Sequence, residues 1–354
     1  MPNFIKHIFI AEKIVFIDSL WGAGKSVVAP VLGSLKNVEK QIVEGIFERI
    51  CLLEEFKKID SDAAITLIRL YADELIYDSV ISRRINFRIF DDSGFLNNPK
   101  KIKYIAQLFF KDGEAAMERI RKNKPILQIM THQLMPVVNF AFRALGERLR
   151  VIEMVRHPLY MINHWFNYIE RCGTDPREFN LWIEYKGKAL PWFAAGWEEK
   201  FISLKTMDKV IHSLDLLINK KNESFDKLDE RYKRHILFIP FENFVTNPWP
   251  FVREIELFLD TQITAETRRV LKRQRCPRKC LSAGRGHKHY GWNKVDRNLT
   301  DIMDLKKRKN FVESKANRES IAILNKISEE YENRYNVFKD SSLESIRNHR
   351  NAKV

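Results

Sequence analysis

Residues 13–35 combine a short apolar run, a glycine turn and a lysine in an order that suits the binding of a phosphate. The apolar run is rich in β-branched residues, which is typical of a buried parallel strand. Glycines let the backbone turn tightly after it. A helix N-terminus beside such a turn offers free N–H groups to phosphate oxygens, and a lysine adds a positive charge. The predicted phosphate-binding residues are Gly22, Ala23, Gly24, Lys25 and Ser26.

Two features separate this loop from the full P-loop pattern. Ser19 stands where the pattern has a glycine, six residues before Lys25. Pro30 lies inside the predicted helix, where a proline removes a backbone hydrogen bond and is expected to kink the chain. An ordinary strand-to-helix turn with a surface lysine is the plainest alternative interpretation of the stretch.

Polar residues that could do chemistry follow three further apolar runs. Asp91 and Asp92 follow residues 85–90, His132 follows residues 125–130, and Arg156 follows residues 151–155. If these runs are parallel strands, their carboxyl ends meet at one edge of the sheet, so we expect these side chains near the phosphate loop. An imidazole with a near-neutral pKa can take a proton from an acceptor hydroxyl.

Apolar strands alternating with helices predict an α/β protein with a three-layer, P-loop-type fold, in which helices flank a central parallel sheet. Another strand is expected at residues 235–240, followed by a helix at 249–259. Residues 175–235 are rich in aromatic and then in charged residues, and are interpreted as a helical insertion. We expect a single domain over residues 1–340 and a mobile tail over 341–354.

Composition limits the partners without choosing among them. The 354 residues are 45% hydrophobic and carry a formal charge of +15, which predicts anionic partners. No nucleic-acid motif is present. Four cysteines make no disulfide framework, and the spacing of Cys276 and Cys280 completes no zinc site. No run approaches the roughly 20 apolar residues of a membrane span, and no signal peptide is evident, so a cytoplasmic protein is expected. The oligomeric state is not readable.

The order of motifs along the chain resembles that of the sulfotransferases, which use 3′-phosphoadenosine-5′-phosphosulfate (PAPS) as the sulfate donor. The resemblance covers roughly residues 13–336. Its most specific piece is 236–259, and the motifs that carry it are the phosphate loop, Thr131-His132-Gln133-Leu134-Met135-Pro136, Arg156-His157-Pro158, Phe241-Glu242-Asn243-Phe244-Val245-Thr246-Asn247-Pro248 and the basic glycine loop 283–292.

The resemblance implies a role for each matching residue. His132 would be the general base, and Lys25 would stabilise charge on the leaving nucleotide, so that no metal is needed. Arg156 would hold the 3′-phosphate of the donor together with His164, which stands where the family usually has a serine. Arg285 and Gly286 of the basic glycine loop would close over the same phosphate.

The acceptor and the exact chemistry stay open at this stage. Trp192, Trp197 and Asp92 are candidates for binding a small-molecule or glycan acceptor, and a carbohydrate suits the aromatic insertion. Glu153, Asp91 or Asp92 could replace His132 as the base. The sequence Gly-Ala-Gly-Lys-Ser also suits an ATP-dependent kinase or ATPase, with Asp91 or Asp92 on Mg²⁺. A non-catalytic anion-binding protein is the third interpretation.

Overall fold

The computed structural model describes residues 2–89, 93–176, 178–284 and 300–337. Four residues named above, Asp91, Asp92, Arg285 and Gly286, lie outside the described residues, and so does the tail 341–354. The prediction that residues 1–340 form a single domain stays a prediction. One large hydrophobic core contains buried residues from Ala11 to Ile327.

Among the described residues, five parallel strands form the central sheet, in the order β2-β3-β1-β4-β7, and β5 and β6 form a separate antiparallel hairpin. The phosphate loop therefore leaves the middle strand, with a neighbour on each side. The predicted α/β class with a parallel sheet is confirmed. The strands are β1 (Lys13–Asp18), β2 (Ile42–Val43), β3 (Ile126–Met130), β4 (Leu149–Val155), β5 (Trp182–Tyr185), β6 (Lys188–Pro191) and β7 (Ile236–Pro240).

Helices cover the sheet. The helix at Lys25–Ser34 packs against the helix at Ala265–Arg273. The helices at Pro158–Arg171, Thr206–Asp226 and Arg318–Tyr335 pack against one another. The α-helices are α1 (Lys25–Ser34), α2 (Ile46–Glu55), α3 (Ser61–Val80), α4 (Lys101–Gln107), α5 (Glu114–Asn123), α6 (Val138–Leu145), α7 (Pro158–Arg171), α8 (Glu198–Ser203), α9 (Thr206–Asp226), α10 (Glu230–Lys233), α11 (Phe241–Thr246), α12 (Pro248–Phe258), α13 (Ala265–Arg273), α14 (Asp301–Glu313) and α15 (Arg318–Tyr335). Within the described ranges, no helix has the length and apolarity needed to cross a membrane.

Three features differ from the sequence-based expectation. Residues 85–89 form no strand, and the edge of the sheet is instead β2, which has two residues and is too short to show a period. Helix α1 runs through Pro30 without ending there, so the proline is accommodated inside it. The insertion at 175–235 contains the β5–β6 hairpin in addition to its helices, because Lys186 and Gly187 turn the chain with positive φ.

Candidate functional site

The phosphate loop turns on two glycines that no other residue could replace easily. Gly22 has φ +85° and Gly24 has φ +96°, the left-handed region that favours glycine. A Cβ atom on Gly24 would lie 2.3 Å from the ring of Phe241, closer than any real contact. Helix α1 begins directly after the loop and has no side-chain cap at its N-terminus. The Val27 N–H bonds to the Gly24 carbonyl oxygen at 3.0 Å, which leaves the first-turn N–H groups of Lys25 and Ser26 for an anion.

Lys25 is buried at the start of α1 and its side chain lies over the ends of the central strands. Its Nζ donates a hydrogen bond to the carbonyl oxygen of Thr131, which follows β3. Burial lowers the pKa of Lys25 to about 8, against the opposing pull of Asp18, Glu48 and Glu153. The hydrogen bond holds the Lys25 side chain in place, and its burial makes the ammonium group release a proton more easily than that of an exposed lysine.

Asp18 fixes the geometry beneath Lys25. It is fully buried at the end of β1 and accepts hydrogen bonds of 2.9 Å from the Thr131 hydroxyl and from the backbone N–H of Met135. Burial raises the pKa of this carboxyl, and the nearby Lys25 opposes the rise. Asp18 thereby ties the end of β1 to the segment that carries His132.

His132 lies at the mouth of the same group, with 35% of its side chain exposed. Its Nδ1 is 3.8 Å from a carboxylate oxygen of Glu48 on α2. Desolvation, with the charges of Lys25, His164 and Arg49, holds its pKa well below the usual range. The imidazole is therefore neutral at pH 7 and can accept a proton.

The carboxyl of Glu48 completes this cluster. Burial raises its pKa to about 8, with a further contribution from Asp18 and an opposing one from Lys25. Its Oε2 has no hydrogen-bond partner among the described residues. Sequence reasoning missed Glu48, because it lies on a helix that carries no motif and reaches the site only through the packing of α2.

Arg156 connects the end of β4 to the phosphate loop. Its Nη1 donates a 2.8 Å hydrogen bond to the carbonyl oxygen of Gly22. Its guanidinium lies 4.2 Å from the ring centroid of Phe241 and 5.5 Å from that of Tyr160. Burial lowers the pKa of Arg156 to about 10, Glu242 opposes the shift, and Arg308 and Arg278 add to it.

Two further arginines surround the same aromatic rings. The guanidinium of Arg278 is 5.4 Å from the centroid of Phe241, and that of Arg308 is 4.6 Å from the centroid of Tyr160. The Nε atoms of Arg156 and Arg278 are buried and have no partner among the described residues. Arg308 already forms an ion pair of 3.1 Å with Asp304. Arg156 and Arg278 are two like charges beside the ring of Phe241, so the arrangement suits an anion between them.

The sequence resemblance predicted this anion-binding role for Arg156, His164, Arg285 and Gly286, but not for Arg278 and Arg308. A signal for Arg278 was available: it belongs to the basic run Pro277-Arg278-Lys279, just before the glycine loop. Arg308 sits in the middle of α14, where only the packing of α14 on α7 reveals it.

The segment that most resembles the sulfotransferases anchors this arginine cluster. Phe241 lies between Gly24 and the arginines, at the start of α11. The carboxylate of Glu242 accepts hydrogen bonds from the backbone N–H of His157 at 3.1 Å and from the hydroxyl of Tyr331 at 2.6 Å. These bonds join the ends of β4 and β7 to helix α15. The role of the segment is thus to hold Arg156 in place.

His164 lies on α7 and packs against the phosphate loop. A Cβ atom built on Gly22 would be 3.2 Å from the Cβ of His164. Burial lowers the pKa of His164 to about 4, and Arg156 and Lys25 add to the effect. At neutral pH the ring is uncharged, so toward an anion it could offer a hydrogen bond but no charge.

An aromatic cluster borders the loop on the side of the insertion. The ring of Trp21 is 4.1 Å from that of Tyr168 and 4.9 Å from that of Trp165, centroid to centroid. Trp165 donates a 2.9 Å hydrogen bond to the Trp21 carbonyl. The predicted acceptor-binding residues differ in position: Trp192 is buried in the core, and Trp197 is half-buried. Their role as acceptor contacts stays a prediction.

The structure brings most of the predicted site residues to one edge of the sheet, at the carboxyl ends of β1, β3 and β4. Those it places there are Gly22, Ala23, Gly24, Lys25, Ser26, His132, Arg156 and His164. Over the described ranges, no group of three or more histidine, cysteine, aspartate or glutamate side chains is arranged to hold a metal ion.

Comparison with known proteins gives a likeness of fold. No model of a protein family matches the chain, and no curated protein matches it. A sulfotransferase domain from the curacin biosynthetic pathway is 12% identical, with a TM-score of 0.39, over 89% of this chain and 97% of that domain.

Two other solved structures are similar at the same level. A sulfotransferase from Mycobacterium avium is 12% identical, with a TM-score of 0.37, over 86% of this chain and 77% of that one. A mouse sulfotransferase complexed with PAP is 12% identical, with a TM-score of 0.36, over 89% of each chain. These three structures are sulfotransferases, at identities and TM-scores too low for the overlap to bear on activity or on the role of any residue.

Proposed function

We propose that this chain transfers a sulfuryl group from PAPS to a hydroxyl or amine of an acceptor. One observation carries the proposal: two separate anion-binding groups are joined by the hydrogen bond from Arg156 Nη1 to the Gly22 carbonyl oxygen. One group is the phosphate loop with Lys25, and the other is the arginine cluster of Arg156, Arg278 and Arg308. A donor with phosphate at both its 5′ and 3′ positions matches two adjacent sites of this kind.

The residues present fit such a donor. The loop N–H groups and Lys25 suit the 5′ end, because a helix N-terminus with a buried lysine concentrates positive charge on a small anion. The buried Nε atoms of Arg156 and Arg278 have no protein partner among the described residues, and a 3′-phosphate would supply the acceptors they need.

When bound, the donor supplies the sulfuryl group that the acceptor takes. His132 would receive the proton of the acceptor, since its depressed pKa keeps the imidazole neutral. Lys25 would give up its bond to the Thr131 carbonyl and stabilise negative charge at the 5′ end. Ser26 is exposed on the first turn of α1 and would add a hydroxyl donor.

The acceptor would approach from the side of the aromatic cluster. Trp21 belongs to the phosphate loop itself and is half-buried, so its ring lies beside the predicted reaction centre. Flat aromatic faces suit the apolar faces of sugar rings, and a carbohydrate remains the proposed acceptor class. Trp192, Trp197 and Asp92 are retained as proposed contacts more distant from the loop.

Calorimetry separates this proposal from an ATP-dependent kinase or ATPase, which the Gly-Ala-Gly-Lys-Ser loop also suits. The protein is titrated with adenosine 3′,5′-bisphosphate and, separately, with ATP and Mg²⁺. We expect metal-independent binding of the bisphosphate that weakens at least about tenfold in Arg156→Ala. The matched control is Arg253→Ala, an exposed arginine on α12. Binding of ATP with Mg²⁺ alone would reject the sulfotransferase assignment.

Transfer itself is tested with radiolabelled PAPS and a panel of glycan and small-molecule acceptors. His132→Ala should lose turnover while its affinity for the bisphosphate changes little, because the imidazole is assigned to the acceptor's proton. Turnover at the wild-type rate in that variant would remove His132 from the mechanism, and Glu48 and Glu153 would then be the next groups to test.

A further inference from the structure

Helix α4 presents apolar side chains to the outside and polar ones to the protein. Ile102 lies on the outer face of α4 and is 76% exposed, and Phe109 lies just beyond the end of α4 and is 84% exposed. Gln107, on the inner face, is buried. A surface helix normally has the reverse arrangement. Neighbouring exposed apolar side chains of this size mark a surface that meets another molecule.

The inner face explains why the apolar face points outward. Tyr104 is fully buried, and its hydroxyl donates a 2.7 Å hydrogen bond to Glu39. The carbonyl oxygen of Tyr104 accepts a 2.9 Å hydrogen bond from the hydroxyl of Ser82. These contacts fix the rotation of α4 about its axis. The outward direction of Ile102 is therefore set by the fold.

The exposed apolar surface extends beyond the helix on both sides. A 3₁₀ turn at Phe95–Asn97 packs against α4 and adds Leu96, and the chain after α4 adds two phenylalanines. We name these residues the α4 patch: Leu96, Ile102, Ile105, Leu108, Phe109 and Phe110, which are between 43% and 84% exposed.

The charged residues in the chain segment that carries the α4 patch are of one sign. Residues 93–111 contain four lysines and no aspartate or glutamate, and the nearest acidic residues in sequence are Asp92 and Asp112. Lys101 and Lys111 are exposed, whereas Lys103 forms an ion pair of 2.6 Å with Glu39. A second copy of this chain, with its formal charge of +15, would bring like charges together at such a surface. A partner that is both apolar and anionic fits better.

We infer that the α4 patch docks the protein onto the surface of an anionic lipid bilayer. Helix α4 would lie in the plane of the bilayer, with Ile102 and Phe109 among the upper parts of the acyl chains. Lys101 and Lys111 would lie at the level of the lipid phosphates. This inference does not depend on the proposed function.

Co-sedimentation with lipid vesicles tests the inference on the full chain. We expect the wild type to bind vesicles of phosphatidylcholine containing phosphatidylglycerol, and to bind vesicles of phosphatidylcholine alone much more weakly. Raising the salt to about 1 M, where the screening length falls to about 3 Å, should release most of the protein. The double variant Ile102→Ser with Phe109→Ser should bind about tenfold more weakly.

Control variants keep the result interpretable. Leu257→Ser removes a leucine that is 80% exposed on α12, far along the chain from the α4 patch, and should bind as the wild type does. Circular dichroism confirms that the double variant is folded. Absence of wild-type binding to phosphatidylglycerol vesicles would overturn the inference, as would full binding by the folded double variant. A wild-type dimer that the same double variant converts to a monomer would instead assign the patch to self-association.

Discussion

The Nη1 atom of Arg156 lies 2.8 Å from the carbonyl oxygen of Gly22 and donates a hydrogen bond to it. Arg156 thereby links the end of β4 to a turn that follows β1, two neighbouring strands of the sheet. The bond turns the Gly22 carbonyl toward the arginine. The Ala23 N–H bonds to the Leu20 carbonyl oxygen at 3.2 Å, so the N–H groups of Lys25 and Ser26 are the ones assigned to an anion. A change at either residue should therefore affect both anion-binding groups together.

Arg278→Ala should weaken the binding of adenosine 3′,5′-bisphosphate by about 10- to 100-fold and leave the binding of adenosine 5′-phosphate nearly unchanged. A charge-assisted hydrogen bond contributes about 1.5–3 kcal/mol, and the assigned partner is the 3′-phosphate. Calorimetry with the two nucleotides measures the difference. Lys279→Ala is the control, because its side chain is exposed next to Arg278. Equal weakening for both nucleotides would argue against the 3′ assignment.

Gly24→Ala should destabilise the protein and remove nucleotide binding. The new Cβ would lie 2.3 Å from the ring of Phe241, and alanine is strained at φ +96°. Left-handed strain costs about 1–2 kcal/mol, and overpacking adds about 1–3 kcal/mol. Thermal unfolding and calorimetry report the two effects.

Gly187→Ala separates the effect of backbone strain from that of the steric clash with Phe241. Gly187 also has positive φ (+71°), but no atom lies within 4 Å of the Cβ that alanine would add. It should lose stability through strain alone and keep nucleotide binding. The double variant Gly24→Ala with Phe241→Leu should recover part of the loss. Similar unfolding temperatures for Gly24→Ala and Gly187→Ala would show that the contact with Phe241 is unimportant.

Local patterns were sufficient to predict the centre of the fold. The β-branched run, the glycine turn and Lys25 lie within a dozen residues of one another, so the sequence alone predicts β1, the loop and α1. The placement of His132 and Arg156 followed from one topological rule about parallel strands. Both residues indeed lie at the edge of the sheet where the loop is.

Long-range packing could not be predicted in the same way. Arg278 and Arg308 are more than a hundred residues beyond Arg156 in the sequence. Arg308 comes close to Arg156 because α14 packs on α7. Arg278 comes close to it because both guanidinium groups lie over the ring of Phe241. Glu48 reaches His132 through the packing of α2. The strand predicted at 85–90 is absent from the described residues 85–89, because alternation of apolar residues over so few positions occurs in irregular segments too.

Glu48→Gln should stabilise the protein at alkaline pH and make little difference at acidic pH. In the unfolded chain a glutamate loses its proton near pH 4.3, whereas burial raises the pKa of folded Glu48 to about 8. Between these values the folded state binds more protons, so the contribution of Glu48 to stability falls as the pH rises through this window. Glutamine carries no such penalty.

Thermal unfolding of the wild type and Glu48→Gln at about pH 5 and about pH 9 measures this effect. Each unit of pKa corresponds to about 1.4 kcal/mol, so a rise from about 4.3 to about 8 should give the variant on the order of 5 kcal/mol relative to the wild type at the higher pH. Glu55→Gln, an exposed change on the same helix, is the matched control. A constant difference between Glu48→Gln and the wild type at both pH values would contradict the raised pKa.

The pH dependence of kcat/KM for sulfuryl transfer should follow Lys25 on the alkaline side and His132 on the acid side. The pKa of Lys25 is lowered to about 8, so the free enzyme loses this positive charge, and with it donor binding, as the pH rises through about 8. The pKa of His132 is held well below its usual value, so lowering the pH from 7 to 6 should leave the base neutral and the rate nearly constant.

In Lys25→Arg the alkaline decline should move to higher pH, because a guanidinium keeps its proton there. His132→Gln should lose most of the rate at every pH while the alkaline decline in donor binding remains. An acid decline centred near pH 6.5 in the wild type would show that the imidazole titrates as an exposed histidine and would count against its burial beside Lys25.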